Sequence, residues 1–117
     1  MSGRVSYLAG LSAEDAVADH YRSLGREILA QRWRGQKGEI DIIARDGASL
    51  VFVEVKKSRD FARAAARVSA AQIKRLYATA AEYLGTLPNG QLQDARFDVV
   101  LMDQHGQHEI IENALCA

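Results

Sequence analysis

The stretch Gly38-Glu39-Ile40-Asp41-Ile42-Ile43-Ala44-Arg45-Asp46-Gly47-Ala48-Ser49-Leu50-Val51-Phe52-Val53-Glu54-Val55-Lys56 decides the fold. Ile40, Ile42 and Ala44 alternate with Glu39, Asp41 and Ile43, the two-residue period of a strand. Leu50 to Lys56 is the best strand in the sequence, and Asp46-Gly47 is a turn signal between the two. If Asp46 to Ser49 form a four-residue loop, Arg45 faces Leu50 and paired positions sum to 95. Asp41 then lies opposite Glu54, Glu39 opposite Lys56 and Ile43 opposite Phe52. A two-residue loop shifts the pairing by two and makes Asp41 and Glu54 diagonal neighbours. In both registers the two carboxylates share a face. The other face is apolar, with Ile40, Ile42 and Ala44 against Val51, Val53 and Val55.

Outward from this hairpin, Ser12 followed by Asp15 resembles a capping box. Ala13, Val17, Tyr21 and Leu24 recur at helical spacing before Gly25, so a first helix is expected over Ala13 to Leu24. Ile28 to Trp33 reads as a strand and Gly35 to Gly38 as a turn. Beyond Lys56, Ser58 to Val68 reads as a long basic loop. Ser69 with Gln72 makes a second capping box, opening a helix with the stripe Ile73, Leu76, Tyr77, Ala80 and Leu84 that Gly85 and Pro88 close. Strands are expected at Phe97 to Met102 and Glu109 to Glu112, around a turn at Gln104 to Gln107. The order is α-β-β-β-α-β-β, an α/β chain whose helices flank one mixed β-sheet.

The 117 residues suffice for one domain, 1–117. Apolar residues make up 48% and charged residues 26%, the balance of a globular chain rather than a disordered one. Fifteen Lys and Arg against fifteen Asp and Glu exclude polyanion binding driven by total charge. The charges are nevertheless sorted. Val55 to Ala81 carries seven basic residues and one acid, whereas Glu82 onward carries six acids and one Arg. That sorting suggests a surface with one positive side, the footprint of a phosphate-backbone partner. The single cysteine, Cys116, excludes an intrachain disulfide and a cysteine-based metal site. No apolar run is long enough to span a bilayer, and no charged segment precedes an apolar stretch at the N-terminus. The expectation is a reducing, cytoplasmic setting with no membrane partner.

Two carboxylates roughly 5 Å apart across a strand pair repel each other and call for compensating charge. Lys56 supplies one cation on the same face. A divalent ion would supply the rest, and hard oxygen ligands without nearby His or Cys select Mg²⁺ or Mn²⁺ rather than zinc. The alternative is a solvated face on which Glu39, Asp41, Glu54 and Lys56 make ordinary cross-strand ion pairs. Trp33 is read as packing rather than as a base-stacking platform. Asp98, at a strand start, is read as an anchor without a chemical role.

Asp41 followed by Glu54-Val55-Lys56 resembles the D…(D/E)-x-K signature of the PD-(D/E)XK nuclease superfamily. The wording Gly38 to Ala44, Leu50 to Lys56, Arg96-Phe97-Asp98-Val99-Val100 and Asn113-Ala114 is similar to the bacterial YraN family, small proteins regarded as endonuclease-like. The resemblance implies a restriction-endonuclease-like core related to archaeal Holliday-junction resolvases. It implies that Asp41, Glu54, the Val55 carbonyl and Glu14 ligate Mg²⁺ or Mn²⁺, with Asp41, Glu54, Glu14 and Lys56 as the catalytic set. Lys56 matches the lysine that orients the attacking water and steadies phosphate charge. Gln72 matches a position from which such nucleases reach the site. The sequence departs from the family's habit at Arg32, where Asn is common, at Lys57-Ser58 and at Gln72, which bears on substrate positioning more than on metal binding.

The expected function is metal-dependent hydrolysis of DNA phosphodiester bonds, in branched or otherwise structured DNA. Lys57, Arg59, Arg63, Arg67, Arg34, Lys37 and Gln72 are the expected nucleic-acid contacts. The alternative is a nucleic-acid-binding module that keeps the nuclease fold without cutting. Many such nucleases work as dimers because two strands must be cut, which makes a homodimer a further expectation.

Overall fold

The computed structural model describes residues 3–58 and 69–114. Helix α1 spans Gly3–Ser23, strands β1, β2 and β3 span Glu27–Arg34, Glu39–Asp46 and Ser49–Lys57, and helix α2 spans Ala70–Gly85. A 3-10 turn at Gly90–Leu92 leads into β4 (Ala95–Met102) and β5 (His108–Ile111). The order is α-β-β-β-α-β-β, as the sequence implies, in one five-stranded mixed sheet ordered β1-β2-β3-β4-β5. Only β3 and β4, joined through α2, run parallel, because a parallel neighbour needs a crossover connection rather than a hairpin.

The β2–β3 turn is two residues, Gly47 and Ala48, with Gly47 at φ 61 as the first central position of a type II′ turn permits. It is tighter than the expected four-residue loop, yet the register is the one whose positions sum to 95: Arg45 faces Leu50 and Asp46 faces Ser49. Alternation then sorts the core into two layers. Ile42, Ala44, Val51, Val53, Val100 and Met102 pack against Val17, Ala18 and Tyr21 of α1. Ile43, Leu50 and Phe52 pack against Leu76 and Ala80 of α2, with Phe97 and Tyr83 at the margin. Trp33 is half-buried and meets the Tyr83 ring edge-on at 5.3 Å, which confirms it as packing.

Two boundaries and the packing layer of one residue are the main differences from the sequence reading. α1 begins at Gly3, not Ala13, so Ser12 and Asp15 lie inside a helix rather than at its start. A Ser-x-x-Asp pattern caps only where the chain arrives from extended backbone, and no proline stands between Gly3 and Ser12 to stop the helix. Ile40 packs with the α2 layer rather than with Ile42 and Ala44, for a reason given below. β5 ends at Ile111, because Asn113 turns at φ 52 and its N–H donates to Asp98 Oδ1 (3.0 Å). Of the expected basic loop, residues 59–68 lie outside the described residues. Among the described residues no helix is long and apolar enough to cross a membrane.

Ser69 does cap α2: its side chain accepts from the Gln72 N–H. The β1–β2 turn is tied to the same helix, since the Gln36 and Lys37 N–H groups donate to the Glu82 carboxylate. A Cβ on Gly38 would stand 2.9 Å from Thr79 Oγ1, so only glycine allows that close approach.

Asp98 is fully buried on β4 and accepts from Tyr21 Oη (2.8 Å), Arg96 Nε (3.1 Å) and the Asn113 N–H. It thus ties α1, β4 and the turn after β5 together, the anchoring role anticipated for it. Arg96 also donates to Asp46 Oδ2 at 2.8 Å, and Arg26 bridges Asp46 and Glu112. Burial, with the Asp98 carboxylate beside it, raises the Tyr21 hydroxyl above its ordinary pKa and keeps it a donor. Replacing Asp98 with Ala strands Arg96 and Tyr21 and is expected to cost roughly 3 kcal/mol in urea denaturation. Tyr21→Phe, which removes one hydrogen bond, is expected to cost about 1–2 kcal/mol.

Candidate functional site

The sheet opens at the Ile42–Val53 pair, the last one between β2 and β3. Beyond it β2 stays with β1, where Ile40 faces Trp33 and Glu39 faces Arg34. β3 stays with β4, where Glu54 faces Val99 and Lys56 faces Leu101. As β2 turns away, Ile40 rotates to the α2 side, which is why it leaves the layer that strict alternation assigns it. The Val55 N–H would be orphaned by the split, and such a buried donor needs a partner. Asp41 supplies it: Oδ2 accepts from that N–H at 2.8 Å.

Asp41 therefore stands in the gap rather than flat on a sheet face. It lies within hydrogen-bond reach of two further carboxylates, Glu14 from α1 and Glu54 from β3. Glu54 Oε1 accepts from Lys56 Nζ (3.2 Å) and from Gln72 Nε2 (3.1 Å). Gln72 thus reaches the carboxylate cluster from α2. Its side chain does not complete the capping box that the sequence suggests. Glu14 Oε2 pairs with Arg32 Nη1 at 3.1 Å.

Burial and the Asp41 charge push the Glu14 and Glu54 carboxyls up to about 7 each, from an ordinary 4.5. Arg32 and Lys56 pull the other way and only partly offset this. Burial also raises Asp41, against the Val55 hydrogen bond and Lys56, which lower it.

The oxygen donors gathered here are the carboxylates of Asp41, Glu14 and Glu54. Among the described residues no three His, Cys, Asp or Glu side chains converge into a preformed metal-holding group. That arrangement fits Mg²⁺ or Mn²⁺ in one respect, since such an ion binds through one or two carboxylates and leaves its other positions to water and phosphate. The mutual repulsion that raises Glu14 and Glu54 fits a divalent cation as well.

Of the expected nucleic-acid contacts, Lys57 is exposed at the end of β3, Lys37 is exposed on the β1–β2 turn and Arg34 is exposed at the end of β1. Arg34 stands 3.9 Å from Glu39, the latter outside the carboxylate cluster. Arg59, Arg63 and Arg67 lie outside the described residues. Arg32, in the sequence only a departure from the family's habit, joins the site through Glu14. The expected turn at Gly35 to Gly38 contained the signal, because a two-residue turn at Gln36 and Lys37 places position 32 opposite position 41.

The profile of the uncharacterised protein family UPF0102 matches residues 13–102, a span that holds Glu14, Asp41, Glu54, Lys56 and Gln72. The chain belongs to UPF0102. The family is the one known as YraN, so that part of the resemblance stands. A UPF0102 protein of Cereibacter sphaeroides is 56% identical over 117 residues, covering 100% of both chains. One from Ruegeria pomeroyi is 54% identical over 112 residues, 96% of this chain and 91% of its own. Another, from Dinoroseobacter shibae, is 40% identical over 111 residues, 95% and 83% respectively.

A pH dependence follows from the raised carboxyls. A carboxyl whose folded pKa exceeds its unfolded value contributes stability below the unfolded value and loses it as pH rises through the folded one. The cluster should therefore weaken the metal-free fold between about pH 4.5 and pH 7. Glu54→Gln removes one titrating member while keeping the shape. Between pH 5 and pH 8 the stability difference between variant and wild type should move in the variant's favour by roughly 1–3 kcal/mol in urea denaturation.

Proposed function

We propose that this UPF0102 protein is a metal-dependent, endonuclease-like protein of the PD-(D/E)XK type. Its substrates are DNA phosphodiesters, with branched or otherwise structured DNA as the preferred form. The observation that carries this reading is Asp41 standing between Glu14 and Glu54, with Lys56 beside them, where the sheet opens.

Hydrolysis of a phosphodiester needs a polarised phosphoryl oxygen, a nucleophilic water and stabilisation of developing charge. Mg²⁺ or Mn²⁺, when bound, supplies the Lewis acidity and a water made nucleophilic near neutral pH. Asp41, Glu54, the Val55 carbonyl and Glu14 are the groups that would hold the ion. Gln72 fixes the rotamer of Glu54 from α2, and the Val55 N–H fixes Asp41. Lys56 reaches the same oxygen of Glu54 as Gln72, which puts its ammonium at the edge of the carboxylates, where it can steady phosphate charge and orient the attacking water. Lys57, Arg34 and Lys37, with Arg59, Arg63 and Arg67 in the same basic segments of the sequence, form the phosphate-backbone set.

A second reading, a nucleic-acid-binding module that does not cut, draws support from the partners the carboxylates already have. Glu54 is held by Lys56 and Gln72, and Glu14 by Arg32. Calorimetric titration of Mn²⁺ separates the two. Wild type is expected to bind, and Asp41→Ala and Glu54→Ala to lose binding. At pH 7 two carboxyls each half-protonated should release about one proton per ion, seen as a dependence of the heat on buffer ionisation enthalpy. Glu54→Ala and Lys56→Ala should each lower cleavage of a DNA panel by roughly 100-fold or more. Metal-independent DNA binding, without cleavage of any form, would select the non-catalytic module instead.

A further inference from the structure

We propose that Arg32 is a substrate-binding residue of this site: a resident cation that holds Glu14 until a divalent ion takes it, and that then grips a phosphate of the nucleic acid. The inference rests on the metal-dependent reading above and adds to it a coupling between ion and substrate.

Arg32 stands on β1 between two paired positions of the β1–β2 ladder. Gln31 faces Ile42 and Trp33 faces Ile40, while Arg32 between them has φ 50. Asn113 is the other non-glycine residue with positive φ among those described. Left-handed backbone is disfavoured for any residue with a Cβ, and Arg lacks the short polar side chain that lets Asn sit there comfortably. A strained residue beside a cluster of reactive groups points to function. In this conformation the guanidinium reaches Glu14 with Nη1 at 3.1 Å, while more than a third of the side chain stays exposed.

The chemistry of this pairing is exchangeable. Glu14 is also within hydrogen-bond reach of Asp41, so its carboxylate faces two claimants: the monovalent guanidinium it has, and any divalent ion gathered by Asp41 and Glu54. A carboxylate oxygen given to the ion releases Arg32 at the rim of the site. Its planar fork then suits a phosphate better than any other side chain would, because two parallel N–H groups match two phosphate oxygens. Phosphate binding in turn draws Arg32 away from Glu14 and leaves that carboxylate to the ion. By linkage, each ligand then favours the other. Arg32 thus discourages the ion in the absence of nucleic acid and favours both ligands together.

The test uses Arg32→Asn, which suits left-handed backbone, and Arg32→Lys, which keeps the charge but not the fork. Thermal melting serves as the folding control for both. Titrated with Mn²⁺ alone, Arg32→Asn should bind several-fold more tightly than wild type, and Arg32→Lys close to wild type. Binding of a fluorescein-labelled DNA duplex is then followed in Ca²⁺, to limit cutting. Both variants should bind it several-fold more weakly than wild type, and Arg32→Asn should show a salt slope shallower by about one phosphate contact. The several-fold enhancement of DNA binding by the ion, expected in wild type, should shrink in Arg32→Asn. Mn²⁺ binding by Arg32→Asn that is unchanged or weaker than wild type would overturn the inference, as would DNA binding that does not change. If wild type takes up no Mn²⁺ with or without DNA, the metal-dependent reading itself falls, and this inference with it.

Discussion

The hydrogen bond from the Val55 N–H to the Asp41 carboxylate is the contact on which the site depends. It stands where a rung of the β2–β3 ladder would be, and it replaces a main-chain acceptor by a side chain. That substitution lets two neighbouring strands separate without leaving a buried donor unsatisfied. It also brings an acidic group into the gap. Everything else at the site is arranged around this opening: β3 carries Glu54 and Lys56 along one side, α1 brings Glu14, and α2 brings Gln72.

The electrostatics follow from the same geometry. Three carboxylates close together, largely out of water, cannot all stay ionised at neutral pH with one lysine and one arginine for company. A group of that kind destabilises the fold in which it sits, and structural ion pairing alone would be satisfied with fewer acids. Asp98 makes the comparison within this molecule. It too is a buried carboxylate, but a tyrosine, an arginine and a main-chain N–H surround it, and it holds elements together. The Asp41 cluster has acid against acid, and the two glutamates are the ones pushed to about 7. The first arrangement suits architecture; the second is the one that the proposed function would fill with a cation.

Much of this was legible in the sequence, and the rest was hidden for identifiable reasons. The alternation in Ile40 to Ala44 and Leu50 to Lys56, with Asp46-Gly47 between, carried the hairpin and its register. The apolar stripe of α2 and its Ser69 cap were equally plain. Alternation also predicted that Asp41 and Glu54 meet, though not how: it assumes that strands stay paired, and the split at Ile42 turns Ile40 to the other layer and sets Asp41 between strands. The start of α1 was hidden because a Ser-x-x-Asp pattern looks the same inside a helix as at its beginning. Arg32 was hidden by its left-handed backbone, which no propensity favours in an arginine and which costs about 1 kcal/mol or more. Gln72 was placed near the site by resemblance, and its bond to Glu54 gives that placement a physical basis.

In the proposed function, a divalent cation relieves the repulsion among Glu14, Asp41 and Glu54. Carbon-13 NMR titration of the Glu14 and Glu54 carboxyl carbons, with and without Mg²⁺, tests it most directly. Both glutamates are expected to titrate near pH 7 without the ion and to fall well below their metal-free values with it. Carboxyls that titrate at the same pH in both conditions would contradict it.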